Sequence, residues 1–463
     1  MSLKANQGLD SVIKDETAGV VTLRWDERLC LGLYQLGMNV LVPPGVLALS
    51  PVLLLKKKRR ATLLPRLGFQ RFPKSNVLRG ETVQGREKVL WVHALSVGEV
   101  LSAVPLVRAL HPGIQPARLY CSASTLSGFE TARDKLEGSV DGLFYFPLDL
   151  LFAVRRSLAE IHPSLFVLVE TDIWPGFMAE LRRQGIPSFL INARLSPSSF
   201  KRYGQGKRLF SPALNTFSRI YPQSPSDAES FKDLGVDPAK LAEPGNLKFD
   251  AAKMSGGAAE MEQLRLKLAI REGERVLVAG STHEGEEVIL RTAFLHLRQS
   301  APGLKLIVAP RHPHRADEVQ RVFAVEPLQV VLYSSLPQER FDVVVVDEFG
   351  VLNALYGLGD LAYVGGSLVP KGGQNPVEPA AAGKPVLFGP DMSDFKDIAE
   401  AMVKEGGAIQ VKNEEELLSQ ATRLLSDVGL GADLGARNKA LVERNSGVTA
   451  KIAEDILERL RRA

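Results

Sequence analysis

The chain has 463 residues, of which 45% are hydrophobic and 24% charged, with two cysteines and a formal net charge of +4. That composition is ordinary for a globular protein of two or three domains. Cys30 and Cys121 alone exclude a disulfide framework, and a charge of +4 gives no argument for a nucleic-acid partner.

Residues 1–25 show no apolar period and are expected to be a disordered extension. From Leu29 to Leu55 no residue is charged, and the run ends at Lys56-Lys57-Lys58-Arg59-Arg60. A bilayer span needs ~20 mostly apolar residues, so the length suffices. Pro43, Pro44, Gly45 and Pro51 interrupt it, so an interfacial hairpin or a helix with a broken end competes with a true span, and a buried core segment with them. Residues 26–62 are therefore expected to be a membrane anchor or interfacial segment. The basic block, continued by Arg66, Arg71, Lys74 and Arg79, would attract an anionic membrane surface and stay cytoplasmic.

Alternating strands and helices follow. Lys88 to His93, Ala117 to Ser122, Leu143 to Phe146, Leu165 to Glu170, Pro187 to Asn192 and Arg219 to Pro222 read as strands, with helices such as Gly98 to Leu110 between them. A second series begins near residue 274, with strands at Arg275 to Ala279, Leu304 to Ala309, Val330 to Tyr333, Phe341 to Val346, Leu361 to Val364 and Pro385 to Phe388. Such alternation predicts two doubly wound parallel sheets facing a cleft, split at 63–250 and 251–463, with a linker at Met254-Ser255-Gly256-Gly257. Ligands of such sheets bind at the carboxyl ends of the strands.

The chemistry-bearing residues fall at those ends. Ser96, Gly98 and Glu99 follow the first strand; Glu99 is a general base if it reaches a substrate hydroxyl, or a counter-charge to the helix dipole. Glu170 ends a later strand, either at the ligand or as the solvated start of a loop. Arg194 suits a carboxylate or phosphate, or an ion pair with Glu170 or Asp172. Ser122, Ser124 and Thr125 read as caps of the next helix.

In the second series, Ser281 and His283 follow one strand, and Arg311, His312, His314 and Arg315 follow the next as a phosphate site. A zinc site from His283, His312 and His314 is the alternative there. Gly350 ends a further strand. The stretch Gly365 to Gly389 joins a strand, a glycine turn and a helix near Pro376. Its glycines permit close backbone approach and its helix N-terminus would offer N–H groups to phosphate. Glu378 suits a ribose diol, so that a nucleotide competes with a plain turn.

Taken in order, these motifs resemble one family, the 3-deoxy-D-manno-octulosonic acid (Kdo) transferases of lipopolysaccharide synthesis. The resemblance lies in Trp91-Val-His-Ala-Leu-Ser-Val-Gly-Glu99, Phe146-Pro-Leu-Asp149, Glu170-Thr-Asp-Ile-Trp-Pro175, Asn192-Ala-Arg-Leu-Ser196 and Gly245-Asn-Leu-Lys-Phe-Asp250. It continues in Gly280-Ser-Thr-His283, Pro310-Arg-His-Pro313, Gly365-Gly-Ser367 and Gly372-Gly-Gln-Asn-Pro-Val-Glu378. The chain departs from the family pattern at Val351, where a glutamate is usual, and at Gln374, where a histidine is usual.

The resemblance implies a GT-B fold of two Rossmann-like domains, an N-terminal acceptor domain and a C-terminal nucleotide-sugar domain. It implies an inverting glycosyltransferase that moves Kdo from CMP-Kdo to a lipid A precursor, with no metal or other cofactor, at the cytoplasmic face of the inner membrane. Catalytic roles then fall to Glu99, Glu170 and Arg311. Ser96, Gly98, Arg194, Ser281, His283, His312, Gly350, Asn375 and Glu378 bind substrate. The rival readings are another GT-B transferase, a nucleotide-sugar epimerase, or a non-catalytic nucleotide-sugar-binding protein at the membrane.

Overall fold

The computed structural model describes residues 23–41, 44, 57–73, 87–252, 258–271, 273–336 and 341–463. They form two compact units. One runs to Gly245 and takes in Ala450–Ala463; the other is Asn246–Thr449. The second expected domain, 251–463, therefore begins slightly earlier and loses its last segment to the first unit. The physical reason is the helix Val448–Arg462. Its Asp455 accepts from the Tyr221 hydroxyl, and Lys88 Nζ donates to the carbonyls of Leu460 (3.0 Å) and Arg461 (2.7 Å) near its C-terminal end. The expected linker at 254–257 lies outside the described residues.

In the first unit, the described strands β1 (Val89–His93), β2 (Arg118–Ala123), β3 (Gly142–Tyr145), β4 (Leu165–Val169), β5 (Ser188–Ala193) and β6 (Arg219–Pro222) pair in the order β3-β2-β1-β4-β5-β6. Every pairing is parallel. β1 and β4 are buried along their whole length, which is why they read as unbroken apolar runs. Trp91, fully buried, packs edge-on against Phe166 and Phe177 and donates its N–H to Ser122 Oγ at 2.7 Å. Ser122 also bonds His93, and Thr125 alone of the three expected caps receives the helix N–H, from Gly128. The serines were misread because a hydroxyl at a strand end serves a buried indole or imidazole as readily as a helix.

In the second unit, the described strands are β7 (Val276–Thr282), β8 (Lys305–Pro310), β9 (Val330–Leu332), β10 (Val343–Val345), β11 (Leu361–Val364), β12 (Val386–Phe388) and β13 (Ala408–Gln410), in the order β13-β12-β11-β7-β8-β10-β9. These pairs too are parallel. β13 has no counterpart in the sequence reading, because three residues ending in an exposed glutamine carry no strand pattern.

The chain order reverses beside β1 in one sheet and beside β7 in the other, where the neighbours are β2 and β4, and β8 and β11. A crevice opens at such a reversal, at the carboxyl ends of the strands. The expected site residues follow β1, β4 and β5 in the first unit and β7, β8, β10 and β11 in the second.

The uncharged segment begins inside a helix, Trp25–Leu36, followed by a π-helical turn, Gly37–Leu41. Trp25, Leu29, Leu33, Leu36 and Val40 recur every three or four residues and are more than half exposed. They make one apolar stripe facing away from the unit. On the other face, Tyr34 donates to Asp149 at 2.6 Å, and Asn39 Oδ1 accepts from the backbone of Leu151 at 2.7 Å. Among the described residues no helix is long and apolar enough to cross a membrane. Residues 42, 43 and 45–56, the rest of the uncharged run with Lys56, lie outside them.

Candidate active site

Glu99 stands in the first turn of the helix Val97–Leu110, which β1 delivers to the reversal point. Its carboxylate accepts the backbone N–H of Leu95 and, at 3.3 Å, the hydroxyl of Ser96. Burial and the nearby Glu170 and Asp172 carboxylates push its carboxyl up to about 8, against the pull of those donors. Helix-dipole compensation alone would leave a carboxyl ionised and low. A carboxyl poised near neutrality beside a second carboxylate is suited to accepting a proton.

Glu170 follows β4 with a backbone φ of 60°, and Asn192, next to last in β5, has φ of 53°. Both are non-glycine residues in the left-handed region, a conformation that costs energy and concentrates at functional turns. Asn192 Nδ2 lies 3.4 Å from Glu170 Oε1, and the Arg194 backbone donates to Thr171 Oγ1 at 3.1 Å. Ser96, Gly98, Glu99, Glu170 and Arg194 thus gather where β1, β4 and β5 end.

Three further residues shape this site. Asp172 is raised by burial and held by the Trp174 indole N–H at 2.7 Å and by the charge of Arg66. Burial lowers the Arg66 guanidinium, which donates to the Phe146 carbonyl, and Asp172 counters the shift. Asp149, only 3% exposed, accepts from the backbones of Gly176 (2.8 Å) and Phe177 (2.6 Å), fixing the helix Pro175–Arg183 just after the Glu170 loop. Arg66 read as one more basic residue of a membrane-facing run, and nothing in the sequence sets it apart; Asp149 was visible only as part of a motif.

In the second unit, His283 follows β7, and Arg311 and His312 follow β8. Burial lowers the His283 imidazole, and the neighbouring Arg311, His312 and Lys371 press it further down, opposed by Glu286. His312 is lowered by burial and then by Arg311. Both imidazoles are thus biased toward the neutral form, and Arg311 and Lys371 supply the fixed positive charge. Among the described residues no group of three His, Cys, Asp or Glu has the geometry to hold a metal ion. The three histidines do not converge as the zinc alternative required; His312 and His314 stack at 5.5 Å instead.

Glu378 accepts from Asn375 Nδ2 at 3.1 Å; its carboxyl is raised by burial and drawn back by Asn375 and Arg311. Gln374, at the departure from the family pattern, has its amide nitrogen 3.4 Å from His283 Nε2. Gly350, with φ of 86°, ends the exposed loop after β10. Ser281 has φ of 54° at the end of β7.

At both candidate phosphate positions the plain-turn alternative accounts for backbone N–H groups. The helix after Pro376 is only Val377–Ala381, and its first N–H is taken by Asn375 Oδ1 at 3.1 Å. The glycine turn's N–H groups are also engaged internally. Those of Gly366, Ser367 and Leu368 donate to Glu286, and that of Gly372 to Asp391 at 2.7 Å. Glu286 and Glu287, at the start of the helix Glu286–Ser300, carry no signal in the sequence that sets them apart from other acidic residues of a first helical turn. Both are almost fully buried, and Glu287 binds Arg315 (3.0 Å) in the loop that carries Arg311.

A family model described as 3-deoxy-D-manno-octulosonic-acid transferase (kdotransferase) matches residues 64–251. The 3-deoxy-D-manno-octulosonic acid transferase of Haemophilus influenzae is 32% identical over 368 residues, covering 79% of this chain and 86% of that protein. The enzyme of the same name from Aquifex aeolicus is 32% identical over 346 residues, covering 75% and 88%. Among solved structures, a UDP-GlcNAc 2-epimerase from Neisseria meningitidis superposes with a TM-score of 0.58 at 15% identity, covering 81% of this chain and all of that one. That likeness concerns the fold, which is GT-B-like.

Proposed function

We infer the working of these residues from one premise: the chain belongs to the 3-deoxy-D-manno-octulosonic acid transferase family. It is a glycosyltransferase that transfers Kdo. The donor is CMP-Kdo and the acceptor a lipid A precursor. The observation that carries the reading is Glu99, a carboxyl poised near pH 8 beside Glu170 at the end of β1.

In the reaction, Glu99 removes the proton of an acceptor hydroxyl as that oxygen attacks the anomeric carbon. The bond from that carbon to the CMP phosphate breaks, and configuration inverts. Negative charge grows on the leaving phosphate, where Arg311 and Lys371 stabilise it. Asn375 and Glu378 hold the ribose. Ser281, His283, His312 and the Gly350 loop complete the nucleotide contacts. Arg194 and Arg66 meet anionic groups of the acceptor or the sugar carboxylate, and Glu170 orients the attacking hydroxyl. Holding the two reactants in register is worth about 7–11 kcal/mol of the barrier. No step calls for a metal.

The apolar stripe of Trp25, Leu29, Leu33, Leu36 and Val40 rests on a bilayer, with the basic block that follows in the sequence drawn to anionic lipid at the cytoplasmic face of the inner membrane. A lipid-embedded acceptor is reached only by an enzyme held at that surface. The test is transfer by the purified chain from CMP-Kdo to a lipid A precursor, with Glu99→Gln as the control. Transfer undiminished in the variant would remove Glu99 from the chemistry.

A further inference from the structure

The side chain of Glu286 is fully buried and points away from bulk solvent. Its Oε1 accepts from the backbones of Ser367 (3.0 Å) and Leu368 (3.1 Å) and from the Tyr363 hydroxyl (2.7 Å). Its Oε2 accepts from the backbones of Gly366 (2.7 Å) and His283 (2.9 Å). Three successive backbone N–H groups curled about one centre form a nest, a concavity that selects an anion. Gly366 makes the curl with φ of 69°, and a Cβ on Gly365 would stand 2.5 Å from the Ser281 carbonyl. In nucleotide-binding loops such a nest commonly receives a phosphate. Here a protein carboxylate fills it, and five donors exhaust the acceptor capacity of that carboxylate.

We propose that Glu286 is an internal anion that occupies the glycine-loop nest. It acts as a positioning residue, fixing His283 and the Gly365–Leu368 loop in one geometry and leaving the donor phosphate to side chains. One carboxylate joins the loop after β7 to the loop after β11, so both are set before the donor arrives. The proposal rests on the reading of the second unit as the nucleotide-sugar site. It explains why Arg311, Lys371, His283 and His312 cluster at that edge: the backbone amides that would otherwise neutralise phosphate are already committed.

The test uses the full-length chain in detergent. Binding of CMP is measured by calorimetry, and initial rates are measured with donor and acceptor varied separately, for wild type, Glu286→Gln, Glu286→Ala and Tyr363→Phe. Glu286→Gln keeps shape but loses charge. It is expected to weaken CMP binding and raise the donor KM by roughly tenfold or more, with the acceptor KM changed by less than about twofold. Tyr363→Phe removes one of the five donors and gives a smaller shift of the same kind. Glu286→Ala empties the nest, so added formate, an anion of the right size, restores part of the CMP affinity, whereas chloride at matched ionic strength does not. Wild-type affinity and donor KM in Glu286→Gln would overturn the proposal. So would a Glu286→Ala defect that formate leaves unchanged, or one that raises both KM values alike. Amide hydrogen exchange at Gly366, Ser367 and Leu368 separates this proposal from the donor assignment. Exchange that speeds up in Glu286→Ala and slows again with formate supports the nest even if CMP fails to bind. Unchanged exchange rejects it even if CMP binds.

Discussion

Glu99→Gln gives the most informative perturbation of the transfer site. The carboxyl titrates near 8 rather than 4.5, so about a tenth of the free enzyme carries the ionised base at pH 7 and half of it at pH 8. Turnover relative to KM should therefore rise about fivefold across that interval and level off above pH 9. Glutamine keeps an acceptor for Leu95 and Ser96 but cannot take a proton, so the variant should lose roughly 100- to 10,000-fold in rate and show no such limb. Stability moves the other way. Because the folded state raises this carboxyl, the penalty is absent below pH 4.5, grows as pH rises and is complete above about 8. At about 1.4 kcal/mol per pH unit its ceiling is about 5 kcal/mol, which water at the partly exposed edge reduces to about 2–3 kcal/mol. Glu99→Gln should thus melt roughly 5–10 °C above wild type at pH 9 and level with it at pH 4. Rates of the two proteins at pH 6 to 9, with scanning calorimetry on the same samples, give both readouts. A variant retaining more than about a tenth of wild-type turnover, or a wild-type rate flat from pH 6 to 9, would refute the general-base reasoning.

The other expectations are narrower. Arg311→Ala should weaken CMP binding and slow transfer with little change in the acceptor KM, measured by calorimetry and initial rates; unchanged donor kinetics would remove Arg311 from the phosphate. Tyr34→Phe deletes one donor to the buried Asp149 carboxylate and should cost about 1–2 kcal/mol of stability in thermal or urea unfolding. Leu29→Glu with Leu33→Glu breaks the exposed stripe and should reduce sedimentation with anionic vesicles while sparing CMP affinity. Equal vesicle binding would place membrane contact elsewhere.

Much of the fold was legible because a parallel sheet buried on both faces leaves apolar runs with few competing readings. Arg219 to Pro222 and Leu361 to Val364 are found with the expected limits. Ala408–Gln410 was not, since an edge strand of three residues borrows its order from its neighbour, Val386–Phe388. The return of the last helix to the first unit was illegible for a related reason: Lys88 and Tyr221 choose it by tertiary contact, not by local pattern. Within the candidate site, the strand-end positions of Glu99, Glu170 and Arg311 were legible in the sequence. Residues that act on loops distant in sequence were not. Glu286 meets Gly366 to Leu368 about eighty positions away, and in the sequence it looks like any acidic residue at a helix start. The glycine turn left a nucleotide and a plain turn as alternatives for the same reason: only the folded chain reveals that a carboxylate already fills it.

The central claim, that this chain passes Kdo from CMP-Kdo to a lipid acceptor, is tested most directly by mass spectrometry of the lipid after incubation with the purified full-length protein. The account predicts a lipid A precursor heavier by one or more Kdo residues, CMP released in equal number, and neither product when the lipid is omitted. An unmodified lipid under conditions where the protein binds CMP-Kdo, or turnover of a nucleotide sugar in the absence of lipid, would contradict it.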